Sequence, residues 1–337
     1  MLNKKNFLRI NAITIGSVLV LILVGSIVRS LGAGMGCPDW PKCFGSYIPP
    51  SSTEELPDNY LEIFRDQRLS KNQRLAKTFD RFGYTQLAQK ITNDPFVLQE
   101  QEFDVTKAWI EYINRLVGVL IGFLVFANMI FSFSYWKENR KLTIAAIFIF
   151  ILTGFQGWVG SLVVSTNLLH GFITFHMLLA LLILALLIWM NVRIREAEVY
   201  TNRTLFWLCT ASLILFIPQV ILGTEVRGVI DDLLMENASK STWRSFLTTS
   251  SFYIHRSYSW IIMVGSVAIF FLIRKFQISN LMPYAMQLVA LVFIAMLAGL
   301  GMVRFDFPFW LQPLHLIIAT GIFSLLFYLT LRVRISK

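Results

Sequence analysis

The sequence carries few charged residues for its length. Of its 337 residues, 15% are charged and 55% are hydrophobic, whereas a soluble domain carries about 25% charged residues. This shortage excludes an ordinary soluble domain and indicates a protein that crosses a membrane several times. Runs of charge are also absent from the apolar segments. Helices are the form predicted to span, because backbone groups in lipid must form hydrogen bonds within their own segment.

Eight apolar runs reach the roughly 20 residues that a spanning helix needs. They predict an all-α polytopic membrane protein. The first run has the basic start of a cleaved signal peptide, but no small-residue cleavage site stands out, and its removal would break the repeat described below. The predicted spans lie near 9–31, 109–135, 142–164, 169–192, 204–226, 252–273, 281–303 and 309–332.

Basic residues outnumber acidic ones, and the formal net charge is +10. They fall at every second junction between the apolar runs, as in the cytoplasmic loops of membrane proteins. This distribution predicts cytoplasmic termini, an outer first loop, and a lipid bilayer rather than nucleic acid as the partner. We expect the bacterial cytoplasmic membrane. The basic junctions hold Lys4, Lys5, Arg9, Lys137, Arg140, Lys141, Arg193, Arg195, Arg203, Arg274, Lys275, Arg332, Arg334 and Lys337.

One long hydrophilic segment, residues 32–107, interrupts the apolar runs. It mixes charges of both signs with apolar residues such as Leu61, Ile63 and Phe64. We expect it to be partly helical and packed over the outer mouth of the bundle. The predicted domain order is a helix in 1–31, the outer loop in 32–107, three helices in 108–193 and four helices in 204–335.

The two sets of four helices repeat one another. "GSIVRSLG" at 25–32 matches "GTEVRGVI" at 223–230, and "EYINR" at 111–115 matches "FYIHR" at 252–256. The separation from Asn114 to His176 is 62 positions, and from His255 to His315 it is 60. Chance similarity of apolar segments would not preserve arginines and histidines at these separations. The sequence therefore predicts two duplicated four-helix bundles, the first half and the second half.

Histidine is scarce, and three of the four histidines fall in the predicted outer part of the membrane. His255 and His315, on different helices of the second half, predict a pair of axial ligands for haem iron. The alternative is a pair of neutral imidazoles that bond across helices. The first half offers only His176 as an iron ligand, because the amide of Asn114 is a poor one. Such a pocket suits substrate or oxygen chemistry, and His170 is either a surface residue or a substitute ligand.

A carboxylate accompanies the first pocket only. Glu111 lies three residues before Asn114, on the same helix face, and the second half has Phe252 at the matching position. Glu111 is a candidate catalytic residue that carries a proton, or else an acid that caps the helix. Four arginines near the outer helix ends could bind haem propionates or extend to the headgroups. They are Arg29, Arg115, Arg227 and Arg256.

The three cysteines do not form a metal motif. Cys37 and Cys43 lie in "CPDWPKC" with no histidine nearby, which makes a metal site less favourable than a disulfide in an oxidising outer compartment. That disulfide could be structural or redox-active. Cys209 lies inside an apolar run, and we interpret it as a packing residue.

These blocks resemble the haem A synthase family. The resemblance rests on "GSIVRSLGAGMGCPDWPKCFGSYIPP" (25–50), "EYINR", "QGWVGSLVV" (156–164), "HMLLAL" (176–181), "YIHR" and "LHLIIA", which occur in the same order. It implies oxidation of a methyl group of haem O to the formyl group of haem A for cytochrome oxidase. It also implies haem b on His255 and His315, a substrate pocket in the first half, and family roles for Glu111 and the cysteine pair.

The chain departs from the family pattern at two places. Asn114 replaces the first family histidine, and the loop insert at about 51–100 is not part of the pattern. The partners that the resemblance implies are haem O synthase and the assembly of cytochrome oxidase. A homo-oligomer is a further candidate, and the sequence does not specify the oligomeric state. The electron donor is not specified. The alternatives are a cytochrome b-type membrane electron carrier that works with quinol and a non-catalytic haem-binding assembly factor.

Overall fold

The computed structural model describes residues 3–93, 102–166, 168–235 and 249–335. Eight of its helices are long and apolar enough to cross a membrane, and all eight coincide with the predicted spans. The helices are α1 Lys4–Ser30, α2 Tyr60–Arg81, α3 Thr85–Asn93, α4 Val105–Ser132, α5 Arg140–Ser165, α6 His170–Ile194, α7 Arg203–Met235, α8 Ser250–Lys275, α9 Met282–Arg304 and α10 Leu311–Leu331, with short 3-10 turns at Thr53–Glu55, Phe133–Tyr135 and Ser279–Leu281.

The predicted all-α polytopic membrane architecture is confirmed. α7 continues to Met235, beyond the predicted end near 226. It continues because its additional polar residues find partners: Arg227 pairs with Asp231 one turn later at 2.7 Å, and Asp232 lies 3.2 Å from His170 on α6. Residues 94–101 of the predicted outer loop lie outside the described residues.

Each half is a ring of four helices. In the first half α1, α4, α5 and α6 pack in that order, with α6 returning to α1, and in the second half α7 to α10 do the same. Each ring has its own apolar core, one centred on residues such as Leu142 and Leu184 and the other on Ile269 and Leu288. The halves meet where α10 packs against α1 and α6.

Two ends of the bundle are distinguished below. The loop end carries the segment that follows α1 and the start of α6, and the basic end carries the N-terminus of α1 and the C-terminus of α10. At the basic end a short parallel ladder joins β1 Tyr200–Thr201 to β2 Val333–Arg334. Arg332 strengthens this link because its Nε donates to the Glu198 carbonyl at 2.5 Å.

The segment after α1 is partly helical and covers the loop end of the first half. Phe44 packs edge-on against Phe64 of α2, with ring centres 5.2 Å apart. Farther along the insert, Ala76 and Ile91 join Leu169 and Phe172 in one buried apolar cluster. The helices α2 and α3 therefore connect the cysteine loop, residues 37–43, to the start of α6.

Candidate functional site

The two histidines of the second half face each other. His255 on α8 and His315 on α10 have ring centres 6.4 Å apart, with their planes at 65°. The Nδ1 atoms of both rings are buried and have no hydrogen-bond partner among the described residues. The close approach of two imidazoles on different helices is what makes this pair a candidate site.

The spacing of these rings fits a shared metal ion. An imidazole nitrogen binds a metal at about 2 Å, so two rings on opposite sides of one ion have centres about 6 Å apart. Within the described residues, no three His, Cys, Asp or Glu side chains converge on one point. His255 and His315 are candidates for a pair of metal ligands whose other ligands would come from a group such as a porphyrin.

Glycines of neighbouring helices make room for these rings. A Cβ atom added at Gly223 of α7 would lie 3.2 Å from Cε1 of His255, and one at Gly299 of α9 would lie 3.7 Å from Cε1 of His315. A Cβ at Gly223 would make a tight contact with the His255 ring, whereas one at Gly299 would lie at an ordinary contact distance from the His315 ring. The glycines are thus part of what fixes the imidazoles.

The first half has the same arrangement with one imidazole fewer. A Cβ at Gly160 of α5 would lie 3.3 Å from Cε1 of His176 on α6. Across the pocket, Asn114 of α4 faces Gly25 of α1, where an added Cβ would lie 4.0 Å from the amide oxygen. This Oδ1 atom and Nδ1 of His176 are buried without a partner in the described part of the chain.

Two glutamines that the sequence analysis did not single out support the pockets. The Nε2 atom of Gln156 donates to the His176 carbonyl at 3.0 Å, and that of Gln219 donates to the His255 carbonyl at 3.2 Å. The Oε1 atoms of both are buried with no partner among the described residues. Gln156 is the first residue of the quoted "QGWVGSLVV" block, and this position could have identified it as a candidate from the sequence.

Glu111 is bound to the cysteine loop. Its side chain is buried, its Oε2 atom accepts the Cys37 backbone N–H at 2.8 Å, and its Oε1 atom pairs with Arg115 one turn later. The close approach depends on Gly36, where a Cβ would collide with the Lys107 carbonyl. The alternative in which Glu111 caps α4 is wrong, because the N-cap of α4 is Asp104, whose side chain accepts from the Lys107 amide at 3.0 Å.

The cysteine loop is held from two sides. Cys37 and Cys43 form a disulfide. Arg115 donates to the Lys42 carbonyl at 2.8 Å and to the Asp39 carbonyl at 3.1 Å. Inside the loop, the Asp39 carboxylate accepts the backbone N–H groups of Phe44 and Gly45. Arg115 was predicted to bind a propionate. Its guanidinium instead pairs with Glu111 and donates to carbonyl groups of the loop.

The other predicted arginines occupy different surroundings. Arg29 of α1 and Arg227 of α7, which match in the repeat, both bind the carboxylate of Asp231, at 2.8 Å and 2.7 Å respectively. Arg227 also contacts Gln312 of α10. Arg256 is exposed and lies over the Tyr253 ring, 5.2 Å from its centre. Asp231 was not singled out from the sequence, although its position four residues after Arg227 was a signal.

His170 opens α6 and lies at its contact with α7. Its side chain is 32% exposed, in agreement with the predicted surface position. Its Nε2 atom is 3.2 Å from a carboxylate oxygen of Asp232, and a Cβ at Gly228 would lie 2.7 Å from its ring. It is therefore a contact between α6 and α7.

The sequence profile of the COX15-CtaA family, described as cytochrome oxidase assembly protein, matches residues 9–68 and 66–327. This chain belongs to the COX15-CtaA family. The resemblance expected from the sequence is therefore confirmed, and every candidate residue from Gly25 to His315 lies inside the matched segments.

Several proteins named heme A synthase are similar to this family member. The one from Ehrlichia canis is 26% identical over 350 residues, which covers 95% of this chain and 91% of the relative. The one from Pelagibacter ubique is 24% identical over 300 residues and 82% of each chain. The one from Shewanella oneidensis is 27% identical over 215 residues, which covers 63% of this chain and about half, 54%, of the relative.

Proposed function

We propose that this integral membrane protein is a haem A synthase, which oxidises a ring methyl of haem O to the formyl group of haem A. The observation that carries the proposal is the asymmetry of the two pockets. His255 and His315 lie 6.4 Å apart in one, whereas the matching positions in the other hold Asn114 and His176. The similarity to proteins named heme A synthase supports the same activity.

The second pocket holds haem b in this proposal. His255 and His315 would hold it, and haem b would supply one-electron transfer when it is bound. Gln219 donates a hydrogen bond to the backbone carbonyl of His255. Gly223 and Gly299 leave room for the two rings. These contacts orient the imidazoles before any cofactor arrives.

The first pocket receives haem O. His176 would hold it, positioned by the hydrogen bond from Gln156 to the His176 carbonyl and by contact with Gly160. Helices α2 and α3 and the cysteine loop cover this pocket at the loop end, and their apolar clusters limit the access of water. The second half has no such insert in its sequence.

Glu111 is the proposed proton acceptor. Conversion of a methyl group to a formyl group removes hydrogen from the carbon, and a buried carboxylate beside the pocket can accept a proton in that conversion. The Cys37 amide and Arg115 fix the two oxygens of Glu111, and each oxygen retains a further lone pair. Arg115 and the disulfide loop are positioning groups for this acid.

Propionate binding falls to Arg29 and Arg227 in this proposal. Two guanidinium groups share the single carboxylate of Asp231, so their cluster retains an excess of positive charge that suits further carboxylates.

The basic junctions support an orientation with both termini in the cytoplasm and the loop end on the outer side of the bacterial cytoplasmic membrane. Haem O synthase would then supply the substrate, and cytochrome oxidase assembly would consume the product.

Extraction of haem from the purified protein tests the function. We expect haem A by mass analysis when the protein is expressed beside a haem O synthase, and none when the synthase is omitted. Haem b alone in both cases would instead indicate an electron carrier. Protein that carries no haem under either condition would indicate a non-catalytic assembly factor.

A further inference from the structure

We propose that the space beside Asn114 in the first pocket is a binding site for a small neutral ligand of one or two heavy atoms, such as water or a diatomic gas. The inference rests on the proposed function, because it takes the first pocket to hold a haem on His176. It goes further by assigning the face of that haem opposite His176 to an exogenous ligand rather than to a protein side chain.

The helical frame keeps the shape of a histidine site at this position. Gly25 and Gly223 match in the repeat, as do Asn114 and His255. At Gly223 an added Cβ would meet three ring atoms of His255, at 3.2, 3.7 and 3.9 Å. At Gly25 the same atom would meet only Oδ1 of Asn114, at 4.0 Å, among the described residues.

The exchange of imidazole for amide leaves a defined amount of room. An asparagine side chain ends two ring atoms short of a histidine: it has no counterpart of Cε1 and Nε2, and Nε2 is the atom that reaches a metal. Gly25 has no side chain to fill the resulting space from α1. The missing volume is that of a ligand with one or two heavy atoms.

The chemistry of the amide suits such a ligand. Its Oδ1 atom is buried and has no partner within the described residues, and an amide can both donate and accept a hydrogen bond. A polar side chain close to an open iron position is one of the features that decide whether haem binds small ligands. The second pocket lacks this opening, because its two rings face each other at 6.4 Å.

Carbon monoxide is the probe for this site. The reduced protein, purified with its haems after expression beside a haem O synthase, is titrated with carbon monoxide and followed by difference spectroscopy. We expect about one carbon monoxide per protein, because only the first-half haem has an open position. Asn114→His should abolish this binding and convert the first-half haem to a low-spin spectrum.

The repeat provides the matched control. His255→Asn places in the second pocket the amide that the first pocket has naturally, opposite Gly223. It should open the second haem to carbon monoxide and raise binding to about two per protein. Gly25→Leu should weaken carbon monoxide binding several-fold without a change in the haem b spectrum. This variant tests the same space if Asn114→His does not fold.

The outcomes separate this inference from the proposed function. Protein that contains two haems and binds no carbon monoxide would overturn the inference, as would undiminished binding in Asn114→His or in Gly25→Leu. Protein that keeps a single haem even after haemin is added would also overturn it. Haem A measured in the same preparations reports on the function independently, so carbon monoxide binding without haem A would reject only the function.

Discussion

In the second half His255 packs against Gly223, and in the first half Asn114 faces Gly25 across a wider gap. The glycine is present in both halves although only one of them has a ring to accommodate. The glycine of a pocket can therefore be kept while the side chain opposite it, which sets the chemistry, differs. The residue at this position differs between α4 and α8, while the glycine opposite it is the same.

The halves also differ at the position one turn before this residue. Glu111 is buried under the cysteine loop, whereas the matching Phe252 packs with Ile230 in a small apolar cluster. Burial of a carboxylate is costly unless it is paired, and here Arg115 and the Cys37 amide provide the partners. The first half therefore has a buried network of polar groups at this position, where the second half has apolar packing.

Loss of an axial histidine should have the largest effect. His255→Ala or His315→Ala should abolish the low-spin haem b spectrum, because the remaining imidazole cannot hold the iron from both sides. Absorption and electron paramagnetic resonance spectra of the purified variants provide the measurement. His170→Ala, at the contact between α6 and α7, serves as the control and should keep the signal. An unchanged spectrum in both ligand variants would contradict the assignment of the second half.

Replacement of the acid should separate the roles of the two halves. Glu111→Gln keeps the shape of the side chain but removes the proton acceptor, and general acid–base groups contribute about 10²- to 10⁴-fold to rates. We expect haem A formation to fall by about this factor while haem b remains bound. Product is measured by extraction, with the exposed Glu102→Gln as the control. Full activity in Glu111→Gln would show that this carboxylate takes no part in the reaction.

Asp231 joins the halves, and its loss should weaken both. Asp231→Asn leaves Arg29 and Arg227 without their shared carboxylate, and removal of one partner from a buried ion pair costs about 3–5 kcal/mol. The thermal midpoint in detergent should fall accordingly, whereas the half-exposed Asp232→Asn should change it little. Equal midpoints for the two variants would mean that the halves do not depend on this cluster.

The smallest expected effect comes from the matched glycines. Gly223→Ala places a methyl 3.2 Å from the His255 ring, which must shift, whereas Gly25→Ala places one at an ordinary contact distance of 4.0 Å from Asn114. We expect haem b content to fall a few-fold in Gly223→Ala and to stay unchanged in Gly25→Ala. Equal losses in the two variants would indicate that the glycines serve helix packing alone.

Much of the fold could be predicted from the sequence, because spanning helices are set by the length and hydropathy of each segment. The repeat also placed His255 beside His315 in advance. The partners of the polar residues could not be predicted in this way. His170 was predicted to lie at the surface, but its contact with Asp232 of α7 was not predicted. Glu111 was an equal candidate for the cap of α4, and the structure has Asp104 at that position.

The eight spans, the family and the residues able to do chemistry follow from composition and from local order along the chain. Which of those residues meet depends on how the helices pack. The Cys37 amide and Glu111 are 74 positions apart, and Arg29 and Asp231 are 202 apart. Lipid and the bundle interior are both apolar, so hydropathy does not fix how a helix is rotated about its axis. Packing against neighbouring helices fixes that rotation, and with it the pairing of the polar side chains.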